Sequence, residues 1–569
     1  MKIKLDILKD LLKKNNIDGY IIPRNDETFL EYSLNNRLSS ITNFDGSAGF
    51  ALVLKHENYL FVDGRYTIQA KIQSGKYYKI IEIPKTLPSS LFLKYNKKLN
   101  IGFDPKIFTN FTLINYFKSS CNLIPVPNNL IDQIVTPKTN INNHLFYNLD
   151  DKISGENVYT KINKINKILN SRKIDNIFIS AAENAAWILN IRGKDIPNSP
   201  IPICSLIITK TKEVFIFTDL LKIKNLKKIN TYKKFKFYET RDFFKVLCKI
   251  KGKNFSIDKN SCSIFLENLI SSKFKIKNTI DPCYQLKAIK NNAEIKNMEQ
   301  SHIYDGVAVT KFLYWIKKYK KNNLTELDVE KKLENFRKQN KTYLYPSFNT
   351  IAGSGPNGAI IHYRATKKSN RKIKKNDILL IDSGGQYKYG TTDITRTICF
   401  KKPSKKIKEI FTRVLKGHIA VACTNLNKVN TGNQIDKSAR KYLNDVNLDY
   451  GHGTGHGVGF FLNVHEGPQA ISKFNTIKIR EGMILSNEPG YYKENKFGIR
   501  IENLVYAKKI KRKLKFSNLT FAPLDKDLII YDMLNKNEKN YLFKYHLDTY
   551  SKVSSFLNKK EKQWLQNLI

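Results

Sequence analysis

A chain of 569 residues, with 41% hydrophobic and 12% aromatic side chains, can fill several cores. This composition excludes a disordered polypeptide and predicts two to four domains. The formal net charge of +48 would suit a nucleic-acid-binding face, but lysine is spread through the whole chain. No basic tail or RNP-like motif stands out, so we attribute the charge to a general lysine bias and predict no specific nucleic-acid partner.

The first residues, MKIKLDILKDLLKK, have leucines at helical spacing interrupted by charged residues. This pattern predicts an amphipathic first helix and not a signal peptide. No run of about 18 uncharged apolar residues occurs, so we predict no membrane-spanning segment. The seven cysteines are scattered and lack CxxC spacing. Such usage is typical of reduced thiols and favours a cytoplasmic protein.

Two N-terminal regions share one pattern of elements. Residues 1–140 alternate apolar runs, such as AGFALVL and NYLFVDGRY, with helical stretches, which is typical of a mixed α/β domain. Residues 141–285 repeat the scheme, with strands predicted at NIFIS, CSLIITK and EVFIFTD. The segment ENAAWILNIRG predicts a helix that ends at Gly193. The repetition indicates two related domains.

A third region, residues 286–510, begins with long helical periodicity. A second helix is predicted at ELDVEKKLENFRKQ, because Thr325 and Asp328 have capping-box spacing before it. From Pro346 onward the chain is rich in strands, glycines and histidines, and residues 511–569 form an extension that ends in an aromatic-rich, helical stretch. The predicted fold class is therefore α/β in the first two regions and α+β in the third.

Four acidic residues and one histidine stand in the strand-rich part of the third region. In DILLIDSGGQYKYGTTDITRTICF, two strands joined by a turn would place Asp382 and Asp393 side by side. His456 lies in the glycine-rich loop GHGTGHGVGF. Glu488 precedes a Pro-Gly turn in SNEPGYY, and Glu502 lies inside the apolar strand FGIRIENLVY.

Each of these residues alone has a common structural explanation, as a turn aspartate, an ion-paired glutamate or a solvated histidine. Together, four carboxylates would give an excess of negative charge that no fold tolerates without cations, so two divalent ions are predicted. Oxygen ligands with one imidazole suit Mn²⁺, Co²⁺ or Fe²⁺ better than thiolate-loving metals. Two such ions about 3.5–4 Å apart can hold a bridging hydroxide and polarise a carbonyl, which suits hydrolysis.

These motifs resemble a known family. DSGGQYKYGTTDITRT, GHGTGHGVGFFLNVHEGP, SNEPGYY and FGIRIEN are similar to segments of the long, three-domain Xaa-Pro aminopeptidases (aminopeptidase P, peptidase family M24B). The resemblance extends to IIHYRA, FDGSAGFALVL, VDGRY and ENAAWILNIRG, so it covers essentially the whole chain. It implies creatinase-like domains at 1–140 and 141–285, a pita-bread catalytic domain at 286–510 and its C-terminal extension at 511–569.

The resemblance implies a role for each metal-ligand candidate. Asp382 would bind one ion, Asp393 and Glu502 would bridge both, and His456 and Glu488 would complete the second. Glu488 would also carry a proton from the bridging hydroxide to the leaving prolyl nitrogen. Mn²⁺ is the metal that we expect in both positions.

Four further residues take roles from the same resemblance. His362 and His465 would donate hydrogen bonds to the substrate carbonyl and to the tetrahedral intermediate. His452 would line the pocket for the proline ring, and Arg65, in VDGRY, matches an arginine that in similar enzymes reaches a substrate site, either of its own or of a partner subunit. Similar enzymes also suggest a homodimer.

The prediction is therefore an Mn²⁺-dependent aminopeptidase that releases the first residue from peptides with proline in second position. One alternative is a prolidase, which cleaves Xaa-Pro dipeptides, or a creatinase-like amidinohydrolase. The extra second domain and the HGTGHGVGFFLNVHEGP loop favour the aminopeptidase. Another alternative is a non-enzymatic pita-bread protein that binds RNA or a protein, but such relatives typically lose metal ligands.

Overall fold

The computed structural model describes residues 1–32, 35–137, 143–318 and 323–569. Two compact units make up the chain, Met1–Tyr284 and Gln285–Ile569. The predicted boundary between residues 140 and 141 lies outside the described residues. Within the described ranges, no helix combines the length and the apolar character that crossing a membrane requires.

The first part of the N-terminal unit is built on a six-stranded mixed sheet in the order β4-β3-β2-β1-β5-β6. The first helix forms as predicted and buries Leu5, Leu8 and Leu12 in the core on one side of this sheet. The elements are α1 (Lys2–Lys14), β1 (Gly19–Pro23), α2 (Arg37–Thr42), β2 (Phe50–Leu54), β3 (Asn58–Val62), α3 (Thr67–Ser74), β4 (Lys79–Glu82), α4 (Pro88–Leu91), β5 (Asn100–Phe103), α5 (Asn110–Phe117) and β6 (Asn122–Pro125).

A second six-stranded sheet follows in the order β12-β11-β10-β8-β13-β14. Matched strand for strand, its order and its parallel and antiparallel pairings repeat those of the first sheet, so the predicted relation of the two domains is confirmed. The elements are β7 (Tyr147–Asn148), α6 (Asp151–Ser154), α7 (Val158–Ser171), β8 (Asn176–Ile179), α8 (Ala182–Ile188), β9 (Ile191–Arg192), β10 (Cys204–Thr209), β11 (Val214–Thr218), α9 (Asn230–Lys233), β12 (Lys236–Tyr238), α10 (Phe243–Leu247), β13 (Asn254–Ile257), α11 (Ile264–Ser271), β14 (Lys275–Asn278) and α12 (Pro282–Ala288).

The helix predicted to end at Gly193 is shorter than expected. It ends at Ile188, because Ile191 and Arg192 form the short strand β9 and pair with β7. Local periodicity did not show this pairing, whose partner strand lies more than 40 residues earlier in the chain.

The C-terminal unit has the predicted α+β architecture, with small sheets flanked by long helices. Its strands form sheets in the orders β15-β18-β19, β16-β17-β20, β22-β21-β23-β26-β27 and β24-β25. The elements are α13 (Asn292–Lys318), α14 (Glu326–Lys338), β15 (Tyr343–Pro346), β16 (Ile351–Ser354), β17 (Ile378–Ser383), β18 (Gly385–Tyr387), β19 (Gly390–Thr391), β20 (Ile394–Cys399), α15 (Lys405–Ala422), α16 (Gly432–Asn444), β21 (Gly455–Gly457), β22 (Glu466–Ile471), β23 (Ile484–Asn487), β24 (Gly490–Lys493), β25 (Phe497–Arg500), β26 (Asn503–Ile510), β27 (Lys513–Asn518), α17 (Lys536–Val553) and α18 (Lys559–Gln566).

Two apolar cores hold the central strands of this unit in place. Helices α13 and α14 pack on Leu379 and Ile381 of β17, and α15 and α17 pack in the core that contains Ile378. Helix α14 has the predicted capping box, formed by Thr325 and Asp328. These cores fix the strand β17, whose penultimate residue is Asp382.

Candidate metal centre

Asp382 and Asp393 lie at one end of the antiparallel pair β17–β20. Asp382 is opposite Thr395 in the register of the two strands, and Asp393 directly precedes β20. Asp382 and Asp393 are therefore neighbours, as predicted, but the prediction of a simple turn between them is wrong. The intervening residues form β18 and β19, which join a different sheet through pairing with β15.

The other three candidates lie within, directly after and between further strands of the C-terminal unit. His456 is the central residue of β21, and Glu488 directly follows β23. Glu502 lies in a two-residue break between β25 and β26, and not inside a continuous strand as predicted. The break arises because β25 pairs with β24 while β26 pairs with β23, and the Glu502 amide donates instead to the Thr395 carbonyl at 3.2 Å.

The ligand atoms of all five residues converge. Three overlapping groups each have their ligand atoms within 4.8 Å of one another. His456 Nε2 is 3.5 Å from both Asp393 Oδ2 and Glu488 Oε1. The three groups are Asp382–Asp393–Glu502, His456–Glu488–Glu502 and Asp393–His456–His465.

The charges of this cluster call for a cation. Burial raises the pKa of Asp393 and Glu502 well above the usual range, and the neighbouring carboxylates raise both further. In the described part of the chain, Asp382 Oδ1 and Asp393 Oδ1 are buried without a hydrogen-bond partner. Buried acceptors without a donor are costly, so the oxygen-rich cluster fits divalent cations.

The orientation of His456 also fits a metal ligand. Its Nδ1 is 3.0 Å from the carbonyl of Gly457, which suits a tautomer with the proton on Nδ1. That tautomer leaves the lone pair of Nε2 directed into the carboxylate cluster, as is usual for histidines that bind metals.

Sequence reasoning missed a buried arginine beside the cluster. Arg500, at the end of β25, donates from Nη2 to Asp382 Oδ2 at 2.6 Å and from Nη1 to the Tyr492 hydroxyl at 2.6 Å. The motif FGIRIEN contained the signal, because alternation in the predicted strand would put Arg500 and Glu502 on one face. Tyr492 is also 2.9 Å from His452 Nε2, so a polar chain runs from Asp382 to His452.

The three further histidines of the prediction differ in how closely the structure links them to the cluster. The His465 ring lies 4.4 Å from that of His456, centroid to centroid, at an interplanar angle of 84°. His452 reaches the cluster through Tyr492. His362 is half-buried and follows Ile361, whose carbonyl accepts from Arg500 at 3.4 Å.

Arg65 belongs to the other unit of the chain. Its Nη2 is 2.7 Å from Asp63 Oδ2, and its guanidinium lies 5.2 Å from the centroid of the Tyr66 ring. These local contacts do not test the predicted substrate role of Arg65, which stays a prediction.

Comparisons with known proteins give the family. The creatinase/prolidase N-terminal domain matches residues 4–134 and 137–294, metallopeptidase family M24 matches 296–509, and the C-terminal region of peptidase M24 matches 512–568. A probable Xaa-Pro aminopeptidase P of Laccaria bicolor is 34% identical over 598 residues, which cover 99% of this chain and 92% of that protein. The chain belongs to the Xaa-Pro aminopeptidase family of M24 metallopeptidases.

Solved structures agree with this membership of the Xaa-Pro aminopeptidase family. An X-prolyl aminopeptidase from Caenorhabditis elegans, described as a cytosolic enzyme with a di-nuclear active site, has a TM-score of 0.92 and 28% identity and covers 99% of this chain and 98% of its own. A prolidase from Pyrococcus furiosus, with a TM-score of 0.52 and 26% identity, covers 62% of this chain and 98% of its own. The chain is thus a metallopeptidase with creatinase-type N-terminal domains, as predicted.

Proposed function

We propose that the chain releases the N-terminal residue from peptides with proline in second position. The observation that carries this proposal is the convergence of four carboxylates and two histidines in a member of the Xaa-Pro aminopeptidase family. The similarity over the full length favours the aminopeptidase over a prolidase, because the Laccaria and Caenorhabditis relatives, which match 99% of the chain, are both described as aminopeptidases.

The proposed site holds two divalent ions, with Mn²⁺ as the expected metal. Two buried carboxylate oxygens without a hydrogen-bond partner among the described residues, and the di-nuclear site of the Caenorhabditis relative, support the number of ions. When bound, such ions activate a water molecule and polarise the carbonyl of the scissile bond. The ligands would be Asp382, Asp393, His456, Glu488 and Glu502.

The chain's own side chains would handle protons and substrate. Glu488 is half-buried, and its Oε1 accepts from Ser486 Oγ at 3.1 Å. Glu488 would take a proton and pass it to the prolyl nitrogen. His362 and His465 would donate to the developing charge on the carbonyl oxygen. Because an Xaa-Pro bond has no N–H, recognition needs a shaped pocket, which His452 would line, and Arg65 would contact the substrate.

The remaining parts of the proposal concern the whole protein. We propose domains at 1–140, 141–285 and 286–510 with an extension at 511–569, and the family matches at 4–134, 137–294, 296–509 and 512–568 support a division into these four parts. A homodimer in the cytoplasm is proposed on the basis of the resemblance, and the Caenorhabditis relative is described as cytosolic.

The test is an assay of arginine release from Arg-Pro-Pro with added Mn²⁺. The unchanged protein should release arginine. Asp393→Asn should lower the rate more than about 100-fold and bind less metal, because it changes a proposed metal ligand itself and not only a residue that hydrogen-bonds to one. Asp445→Asn, which changes an exposed carboxylate, is the matched control.

Two results would contradict the proposal. A strong preference for the dipeptide Arg-Pro over Arg-Pro-Pro would indicate a prolidase. If no amino acid is released, and the protein binds RNA at moderate salt, the non-enzymatic alternative is correct.

A further inference from the structure

A fully buried guanidinium stands beside the candidate metal centre. Arg396 lies in β20, directly after Thr395, and its nitrogens donate to six oxygen atoms at 2.7–3.0 Å. A guanidinium has five N–H groups, so every donor is used. The acceptors are the carbonyls of Thr395, Glu502, Ala522 and Pro523, the side-chain amide oxygen of Asn503 and the hydroxyl of Tyr545.

Arg396 connects the Glu502 segment to the C-terminal region. The hydroxyl of Tyr545, a buried residue of α17, accepts from Arg396 Nη2 at 2.8 Å and donates to the Ala522 carbonyl at 2.7 Å. Arg396 Nη1 in turn donates to the Glu502 carbonyl at 2.7 Å. One hydroxyl and one guanidinium therefore link helix α17 to the backbone of Glu502.

Two successive residues of β20 hold Glu502 at three points. The Thr395 hydroxyl donates to Glu502 Oε2 at 2.8 Å, and the Thr395 carbonyl accepts from the Glu502 amide at 3.2 Å. Arg396 holds the Glu502 carbonyl. Side chain and backbone are both fixed, although Glu502 lies in a break between strands where no ladder hydrogen bonds would hold it.

The buried positive charge of Arg396 also indicates a relation to the acidic cluster. None of its six acceptors is a carboxylate, so no direct ion pair offsets the cost of burying the guanidinium. Opposite charge is supplied by the acidic cluster that includes Glu502.

We infer that Arg396 and Tyr545 are positioning residues for Glu502, through which helix α17 sets the affinity of the metal centre. The inference rests on the proposed function, because that proposal makes Glu502 a metal ligand. Replacing a residue that hydrogen-bonds to a metal ligand and orients it typically lowers metal affinity by about 10–100-fold.

The test compares Tyr545→Phe with Tyr541→Phe in the full chain. Tyr541 lies one helical turn earlier on α17, and within the described ranges its hydroxyl has hydrogen-bond contacts only with Asn518, at 3.4–3.5 Å. The dissociation constant for Mn²⁺ is measured by competition with a fluorescent chelator, and the thermal midpoint is measured in EDTA. Tyr545→Phe should weaken Mn²⁺ binding about tenfold, while Tyr541→Phe should stay within about twofold of the unchanged protein.

A second variant, Arg396→Lys, keeps the charge but has three donors in place of five. It should weaken Mn²⁺ binding more than Tyr545→Phe does. If both variants lower the thermal midpoint in EDTA but bind Mn²⁺ as tightly as the unchanged protein, the role is structural only and the inference is wrong.

Failure of the inference can be distinguished from failure of the proposed function. Equal Mn²⁺ affinity in all variants, with Arg-Pro-Pro still cleaved, overturns the inference and leaves the function intact. Mn²⁺ binding that is weakened in Tyr545→Phe, without cleavage of Arg-Pro-Pro by the unchanged protein, overturns the function and supports the inference. Absence of Mn²⁺ binding by the unchanged protein overturns both.

Discussion

At the scale of single residues, the two carboxylate oxygens of Asp382 have different surroundings. Its Oδ2 accepts from Arg500 at 2.6 Å, while among the described residues its Oδ1 has no hydrogen-bond partner. Arg500 is itself held by Tyr492 and by the Thr395 hydroxyl at 3.2 Å. The arginine therefore orients the carboxylate and leaves one oxygen available as a ligand.

This arrangement predicts the effect of Arg500→Met. The substitution leaves Asp382 buried without its partner, so activity on Arg-Pro-Pro should fall about 10–100-fold, as is typical when an outer-shell partner is lost. Arg480→Met, which changes an exposed arginine, is the control. Rates are measured at saturating Mn²⁺, and an Arg500→Met enzyme with unchanged kcat would contradict the orienting role.

At the scale of elements, close approach of backbones sets the position of the strand that contains His456. A Cβ added at Gly455 of β21 would lie 1.9 Å from the Ser486 carbonyl of β23. Real Cβ atoms do not come that close, so any side chain at position 455 separates the two strands. Since Glu488 follows β23 directly, the distance between His456 and Glu488 depends on this glycine.

We therefore expect Gly455→Ala to lower both stability and metal affinity. Overpacking of this kind costs about 1–3 kcal/mol of unfolding free energy. The control is Gly467→Ala, because a Cβ there would meet nothing within 4 Å. Thermal midpoints and Mn²⁺ titrations of the two variants give the comparison, and equal behaviour would show that β21 can move without cost.

At the scale of the whole molecule, buried histidines limit the stability of the C-terminal unit in acid. Burial lowers the pKa of three histidines of this unit: it lowers that of His302, that of His418 to about 3 and that of His546 to about 4. The positive charge of Arg396 contributes to the lower pKa of His418 and of His546. In the unfolded chain these groups bind protons below about pH 6.5. The unfolded state then holds more protons than the folded state, so stability is lost as the pH falls from about 6.5 towards these lower values.

His418 gives a measurable share of this pH dependence. At pH 5 its protonation in the unfolded chain costs about 2 kcal/mol of stability that is present at pH 7. In metal-free protein, His418→Gln should therefore lose less thermal stability between pH 7 and pH 5 than the unchanged protein does. His56→Gln, at an exposed position, should keep the full pH dependence, and identical pH dependence in all three proteins would contradict the assignment.

The local parts of this protein could be predicted from sequence because each depends on neighbouring residues. Helix α1 follows from leucine spacing, and the capping box of α14 follows from Thr325 and Asp328. The motifs around Asp382 and His456 predicted the candidate ligands and the family. Local patterns failed at the connection from Asp382 to Asp393 and at the strand break at Glu502, because both depend on which distant strand each segment pairs with.

Sequence by itself thus determined the types and order of the candidate ligands, the repeated N-terminal domains and the chemistry that the cluster suits. Only the tertiary structure decided which residues hold the candidate ligands in place. Arg500 lies 118 positions from Asp382, and Tyr545 lies 149 positions from Arg396. Periodicity and motif spacing extend over a few turns or one strand, whereas these hydrogen bonds form only after several sheets and a C-terminal helix have come together.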